Sequence, residues 1–187
     1  MKRRIFVAIN LPENIKKELS AYQEKWHELP ARWTKKDNLH ITLEFLGYLS
    51  DDEVWETCQR VRELASKYKQ FSVILNKICY GPLNKMPPKK MSSLRSFSRS
   101  SQNGTPRMVW VVGKKIKELD LLPHITLARI MSFGWKEIEP EERLEINKEI
   151  SLEFEVSSID VMESVLKRGG PEYTILESCP LTPLEVL

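Results

Sequence analysis

The sequence has few cysteines and no long apolar run, and both shortages narrow its class. Its 187 residues include three cysteines, Cys58, Cys79 and Cys179, at wide spacings and with no CxxC pair. This odd number argues against a disulfide framework or a zinc site and favours a reducing cytoplasm. No run of 18 or more apolar residues is present, so we expect no membrane-spanning helix and no membrane partner.

The N-terminal segment lacks the features of a secretory signal. Basic residues precede a short apolar stretch, Ile5 to Ile9, but no small-residue cleavage site follows it. We therefore predict that this stretch is a first strand and that the protein is cytoplasmic. The chain length of 187 residues predicts a single domain over residues 1–187, built from two lobes that share a core.

Acidic residues are absent from one segment, residues 84–107. It is rich in Ser and Pro and contains six basic residues: Lys85, Lys89, Lys90, Arg95, Arg99 and Arg107. Without these six, the remaining 23 basic and 26 acidic residues give a net charge of −3. We predict a long loop or flexible insertion. Its charge favours a polyanionic partner, and a loop that is merely solvated is the alternative.

Hydrophobic spacing predicts a chain of alternating strands and helices. Strands are predicted at 4–11, 38–46, 71–81, 107–113, 122–130, 151–164 and 172–178, and helices at 12–29, 50–68 and 139–150. Each half has a strand that leads to a further strand containing the tetrad His-Ile-Thr-Leu. The fold class predicted from this pattern is α+β, with two pseudo-symmetric lobes.

The second half has a shorter connection before its tetrad. Only ten residues separate Gly113 from His124, which allows about two turns of helix. We therefore expect the second lobe to be incomplete on its helical face. Either the basic insertion fills that gap, or some apolar sheet surface is left to another chain.

The repeated tetrad uses two of the three histidines in the chain, His40 and His124. Alternate side chains of a strand share a face, so His40 and Thr42 point one way, as do His124 and Thr126. Two imidazoles and two hydroxyls across one cleft suit phosphoryl chemistry. One neutral imidazole can accept a proton from water, and an imidazolium can donate one to the leaving oxygen. The hydroxyls can hydrogen-bond to phosphate oxygens.

Other interpretations of the histidines are weaker. A single His-x-Thr in a strand means little, but two identical copies are hard to attribute to chance. His27 has no counterpart and is predicted to be structural or exposed. A metal site is disfavoured because the tetrads contain no carboxylate or thiolate, which zinc and iron sites usually recruit.

The chain resembles the 2H phosphoesterases, and in particular the RNA 2′,3′-cyclic phosphodiesterases, also called 2′-5′ RNA ligases. The similar segments are "RIFVAINLPENIKKEL", "HITLEFLG", "VWVVG", "PHITLAR" and "IDVMESVLKRGGPEYTILESCPL". The resemblance implies two antiparallel sheets around a central cleft, with helices outside. It also implies opening of a terminal 2′,3′-cyclic phosphate to a 2′-phosphate without metal, ATP or another cofactor. His40 would then be the proton donor and His124 the proton acceptor, and the reverse reaction would join RNA ends.

Phe45 and Arg129 each lie five residues after a tetrad histidine. By the resemblance, Phe45 stacks on a base and Arg129 contacts phosphate, roles that suit an aromatic ring and a guanidinium. Strict alternation would place both residues on the face opposite the histidines, so a twist or bulge is required. Core packing is the alternative for Phe45.

Three functions therefore remain open from the sequence. The first is a metal-independent RNA 2′,3′-cyclic phosphodiesterase that acts on RNA ends. The second is an RNA-binding module with weak activity, because the second lobe is shortened. The third is a phosphodiesterase of small cyclic nucleotides.

Overall fold

The computed structural model describes residues 2–81 and 106–184. The predicted basic insertion at 84–107 therefore lies outside the described residues, apart from its last two positions. Within the described ranges, no helix is both long and apolar enough to cross a membrane.

The described chain forms strands and three α-helices in alternating groups. Their bounds are β1 Arg3–Asn10, α1 Glu13–Lys25, β2 Ala31–Trp33, β3 His40–Leu49, α2 Asp51–Ala65, β4 Phe71–Gly81, β5 Met108–Gly113, β6 His124–Ile130, α3 Ser132–Glu137, β7 Asn147–Val156, β8 Ser158–Lys167 and β9 Gly170–Pro180. Single 3-10 turns lie at Lys36–Asn38 and Pro140–Glu142.

The strands form two antiparallel sheets, one for each lobe. Sheet A has the order β3-β1-β8-β9, and sheet B has the order β2-β6-β5-β4-β7. The two tetrad strands, β3 and β6, contact each other where the sheets meet. This arrangement confirms the predicted α+β bilobal fold with two antiparallel sheets around a central cleft.

Each sheet is covered by a helix on the face opposite the cleft. Helix α1 packs against β6, and helix α2 packs against β3, β8 and β9. Behind sheet A, Val54 and Cys58 of α2 form one cluster with Ile5 and Val161. Behind sheet B, the main core joins residues of α1 to the strands: Ile15, Leu19, Val109, Val111, Ile125 and Leu127. Helices α1 and α2 thereby leave the cleft face of each sheet uncovered.

Two predicted elements near the C-terminus are wrong. The predicted helix at 139–150 is a single 3-10 turn at Pro140–Glu142, followed by the start of β7 at Asn147. The predicted strand at 151–164 is the end of β7 and the start of β8, which are separated at Ser157. The Glu- and Lys-rich segment has good helix propensity, but pairing of β7 with β4 buries Leu152 and Phe154 and overrides it.

The short connection before His124 contains no helix. Ile116 and Leu121 form an isolated bridge there, and Ile116 is buried. Ile125 and Leu127 are 0% exposed, so the apolar face of β6 is covered within the described residues. Coverage by the basic insertion falls outside them.

The start of α2 gives a test of helix capping. The Ser50 hydroxyl accepts a hydrogen bond from the Glu53 amide, and the Glu53 carboxylate accepts one from the Ser50 amide at 2.7 Å. Ser50→Ala should lower the free energy of unfolding by about 1 kcal/mol, because the Glu53 amide at the helix start loses its acceptor. Urea unfolding measures the change.

Thr57→Ala, within the same helix, is the control for this capping prediction. The Thr57 hydroxyl donates to the Glu53 carbonyl and caps no free amide. We expect this variant to keep the wild-type unfolding midpoint. Equal losses in both variants would contradict the capping role of Ser50.

Candidate active site

Both tetrads lie at the start of their strands. His40 pairs with Asn10 and Thr42 with Ala8 across β3 and β1, while Ile41 is fully buried on the other face. On β6, Thr126 lies opposite Trp110 in β5. The apolar back and polar front predicted for each tetrad are therefore present in both strands.

A β-bulge lies at the last residue of each tetrad. In β3, Thr42 pairs with Ala8 and Glu44 with Val7, which leaves Leu43 without an opposite residue. In β6, Leu127 is the residue left over, because Thr126 and Ala128 pair with consecutive residues of β5. An extra residue in a strand reverses the alternation that follows it.

These bulges place Phe45 and Arg129, each five residues after a tetrad histidine, on the same face of the strand as that histidine. Phe45 lies opposite Phe6, and Phe6 belongs with Ala8 and Met162 to the cluster on the cleft face of sheet A. Arg129 lies opposite Met108, which shares a face with Trp110. The bulge required by the sequence argument is thus present in both halves.

The His40 ring is held by hydrogen bonds at both nitrogens. Nδ1 lies 2.7 Å from the Asn38 carbonyl, and Nε2 lies 2.9 Å from the Thr42 hydroxyl. A carbonyl can only accept, so Nδ1 carries a proton and donates it. Nε2 is therefore the atom at which His40 gains or loses a proton.

The surroundings of His40 disfavour its charged form. Burial lowers the pKa of His40, the Asn38 carbonyl partly opposes this shift, and the Lys16 ammonium lowers the pKa further. Lys16 is itself only 8% exposed, and its Nζ donates to the Asp37 carbonyl at 3.3 Å. The free site therefore holds His40 mainly as neutral imidazole at neutral pH.

Aromatic rings surround His40 on the cleft face. The ring centroids of Phe6 and Tyr173 lie 5.1 and 5.2 Å from the imidazole centroid. Phe6 also contacts the Phe45 ring at 6.1 Å, and Phe45 is 50% exposed. The Phe45 ring thus packs against Phe6 on one side and is half exposed on the other, an arrangement that suits a stacking surface.

His124 lies against the indole of Trp110. The Trp110 ring centroid is 4.5 Å from that of His124, at an interplanar angle of 37°. Trp110 in turn lies over Gly81, where an added methyl carbon would come within 2.4 Å of the indole. The absence of a side chain at Gly81 makes room for the indole that contacts His124.

The two sheets approach each other near Tyr173. Burial raises the pKa of the Tyr173 hydroxyl, and the charges of Arg4 and Arg129 oppose this rise. Arg129 follows the His124 tetrad on sheet B, whereas Tyr173 contacts His40 on sheet A. Residues that follow one tetrad therefore lie close to residues that contact the other.

The remaining histidine, His27, lies apart from this arrangement. His27 is exposed and bonds to the Glu24 carbonyl at 3.1 Å, as its isolated position in the sequence predicted. Among the described residues, no group of three or more His, Cys, Asp or Glu side chains could hold a metal ion.

Sequence reasoning missed the residues that hold the histidines. These are Lys16, Asn38 and Tyr173 around His40, and Gly81 and Trp110 beside His124. Only Trp110 carried a signal, since it lies in an apolar strand where an indole is unusually large. The others reach the site through strand pairing between distant segments.

Comparisons with known proteins agree with this geometry. The family model for LigT-like phosphoesterases matches residues 9–89. A Methanocaldococcus jannaschii protein named RNA 2′,3′-cyclic phosphodiesterase is 27% identical over 183 residues, which cover 93% of this chain and 98% of that protein. A Thermotoga maritima protein of the same name is 25% identical and covers 94% of each chain.

Solved structures show the same fold. A Thermus thermophilus protein superimposes with a TM-score of 0.71 at 25% identity, over 96% of this chain and 98% of that one. Escherichia coli LigT complexed with phosphate gives a TM-score of 0.66 at 25% identity, over 97% and 98%. With its two tetrad strands side by side at the junction of two antiparallel sheets, this chain is similar in sequence and in fold to the LigT-like phosphoesterases.

Proposed function

We propose that this protein is an RNA 2′,3′-cyclic phosphodiesterase that opens a terminal cyclic phosphate to a 2′-phosphate. The observation that carries the proposal is the matched geometry of the two tetrad strands. Each presents a histidine, a threonine and, after a bulge, Phe45 or Arg129 on one face. Relatives of nearly full length are named RNA 2′,3′-cyclic phosphodiesterase, and the E. coli LigT structure contains phosphate.

In the proposed reaction, His124 and His40 act in turn on the two exchanging oxygens. His124 accepts a proton from water as the water oxygen bonds to phosphorus. The bond from phosphorus to O3′ breaks, and His40 donates the proton on Nε2 to that oxygen. The product carries a 2′-phosphate and a free 3′-hydroxyl. Thr42 and Thr126 stabilise the phosphate oxygens, and Arg129 balances their charge.

The same groups support ligation when a 5′-hydroxyl takes the place of water. His124 accepts the proton of that hydroxyl as its oxygen bonds to phosphorus, the bond from phosphorus to O3′ breaks, and His40 donates a proton to O3′. Joining of two RNA ends through a 2′-5′ bond is therefore a second proposed activity of the site. The tetrad on β6 is complete, which supports an active enzyme over an inactive RNA-binding module.

Removal of either tetrad histidine tests the proposed chemistry. His40→Ala and His124→Ala should each lower kcat by at least ~10²-fold in EDTA, because each removes one proton-transfer group. The assay measures 2′-phosphate product from an oligoribonucleotide that ends in a 2′,3′-cyclic phosphate. His27→Ala is the matched control and should keep the wild-type rate. Wild-type protein that yields no 2′-phosphate product would reject the proposed function.

The pH profile tests which histidine is the acid. Because burial lowers the pKa of His40, free enzyme loses the imidazolium at a pH below that of an ordinary histidine. The alkaline limb of kcat/KM should therefore lie at low pH. A bound phosphate anion stabilises imidazolium, so the alkaline limb of kcat should lie at higher pH.

Lys16→Met sharpens this test. Loss of the ammonium raises the pKa of His40, so the alkaline limb of kcat/KM should move to higher pH. Lys17→Met, on the exposed side of the same helix, should leave both limbs in place. Movement of the acidic limb instead would make His40 the base and reverse the proposed roles.

Phe45→Ala tests base stacking next to the reacting phosphate. We expect KM to rise about tenfold or more for both a cyclic mononucleotide and an oligonucleotide, because stacking contributes ~1–3 kcal/mol. The control is Trp55→Ala, which removes an aromatic ring that is 66% exposed from helix α2, on the side of sheet A opposite the cleft. An unchanged KM in Phe45→Ala would assign its ring to packing against Phe6.

A further inference from the structure

The cleft face of sheet A continues beyond Phe45. A second bulge, at Leu46, follows the first, since Phe45 pairs with Phe6 and Gly47 with Ile5. Gly47 adopts φ +85°, a conformation that glycine tolerates. The bulge restores the alternation, so Tyr48 lies opposite Arg4.

Tyr48 and Arg4 share the face that carries the His40 tetrad. Arg4 lies two residues before Phe6 in β1, so their side chains point the same way. Tyr173, whose ring contacts His40, also lies on this face. His40, Thr42, Phe45 and Tyr48 therefore form one row along β3.

Arg4 differs from its neighbour Arg3 in its partners. Arg3 points to the outer face and forms a two-pronged pair with Glu163, at 3.0 and 2.7 Å. Across residues 2–81 and 106–184, Arg4 has no carboxylate within salt-bridge distance. The guanidinium on the cleft side is thus available to an anion, whereas the one on the outer side is neutralised.

Tyr48 is a large aromatic side chain with little protein contact. Its exposed fraction is 67%, compared with 50% for Phe45, which lies closer to His40 along β3. Successive side chains on one face of a strand are separated by ~7 Å. This exceeds the ~3.4 Å rise between stacked nucleotides, so two successive bases would be splayed onto separate rings, as is usual in the recognition of single-stranded RNA.

We propose that Tyr48 and Arg4 form a second nucleotide subsite, in which Tyr48 stacks on the base before the terminal nucleotide and Arg4 binds the phosphodiester that joins the two. This inference rests on the proposed function and names its substrate class as oligoribonucleotides. Alternation of aromatic rings with unpaired cations along one groove is the pattern by which proteins hold single strands.

The discriminating experiment compares two substrates that differ by one nucleotide. One is a 2′,3′-cyclic mononucleotide, and the other is a dinucleotide that ends in a 2′,3′-cyclic phosphate. Tyr48→Ala and Arg4→Gln should each lower the ratio of kcat/KM for the dinucleotide to that for the mononucleotide by about tenfold. Tyr48→Phe keeps the ring and should restore the ratio.

Matched controls come from the outer face of α2. Arg60→Gln removes the same charge, and Trp55→Ala removes an aromatic ring that is 66% exposed. Both should keep the wild-type ratio. A ratio unchanged in Tyr48→Ala and Arg4→Gln, or changed equally in Arg60→Gln, would overturn the subsite.

A binding measurement separates this inference from the proposed reaction. The probe is a labelled oligoribonucleotide that ends in a 2′-phosphate, titrated at several salt concentrations. Arg4→Gln should reduce the slope of log Kd against log salt by about 0.7, whereas Tyr48→Ala should weaken binding with the slope unchanged. If wild-type protein cleaves neither substrate, the proposed function fails, and the subsite then stands or falls on these slopes alone.

Discussion

One extra residue in each tetrad strand decides which side chains reach the cleft. Without the bulge at Leu127, Arg129 would point into the layer that contains Ile125, where a lone guanidinium would lose its hydration. Without the bulge at Leu43, Phe45 would leave the face of His40. The bulge in each strand thus brings Phe45 or Arg129 onto the face that carries the tetrad histidine.

The two tetrad strands, β3 and β6, have similar backbones, but their histidines have different surroundings. His40 is enclosed by Phe6 and Tyr173 and bonded at both nitrogens, whereas His124 lies against the indole of Trp110. Burial and the Lys16 ammonium lower the pKa of His40 and disfavour its charged form in the free protein. A bound phosphate would itself supply the negative charge that makes imidazolium favourable. Proton donation by His40 would then be tied to the presence of substrate.

The sequence predicted the tetrads, their faces and the two-lobed fold, because these depend on local patterns and on a specific resemblance. It could indicate that Phe45 and Arg129 needed a bulge, but it could not locate one. A bulge is a property of two paired strands, and the register between β3 and β1 is invisible in either strand alone. Tyr173 was missed for the same reason, since it reaches His40 through the pairing of β8 with β9. The segment at 139–150 was mispredicted because its charged residues suit a helix, whereas pairing with β4 makes it a strand from Asn147 onward.

Gly81 has a consequence for the mechanics of the site. The end of β4, the Trp110 indole and the His124 imidazole lie in contact, and the first of these contacts exists only because residue 81 has no side chain. Protein interiors are closely packed, so a displacement of the indole would be passed to the ring in contact with it. A force on the chain as it leaves β4 would therefore act on the tilt of the His124 ring. The alignment of a proton-transfer group with its phosphate would then depend on the backbone at a strand end.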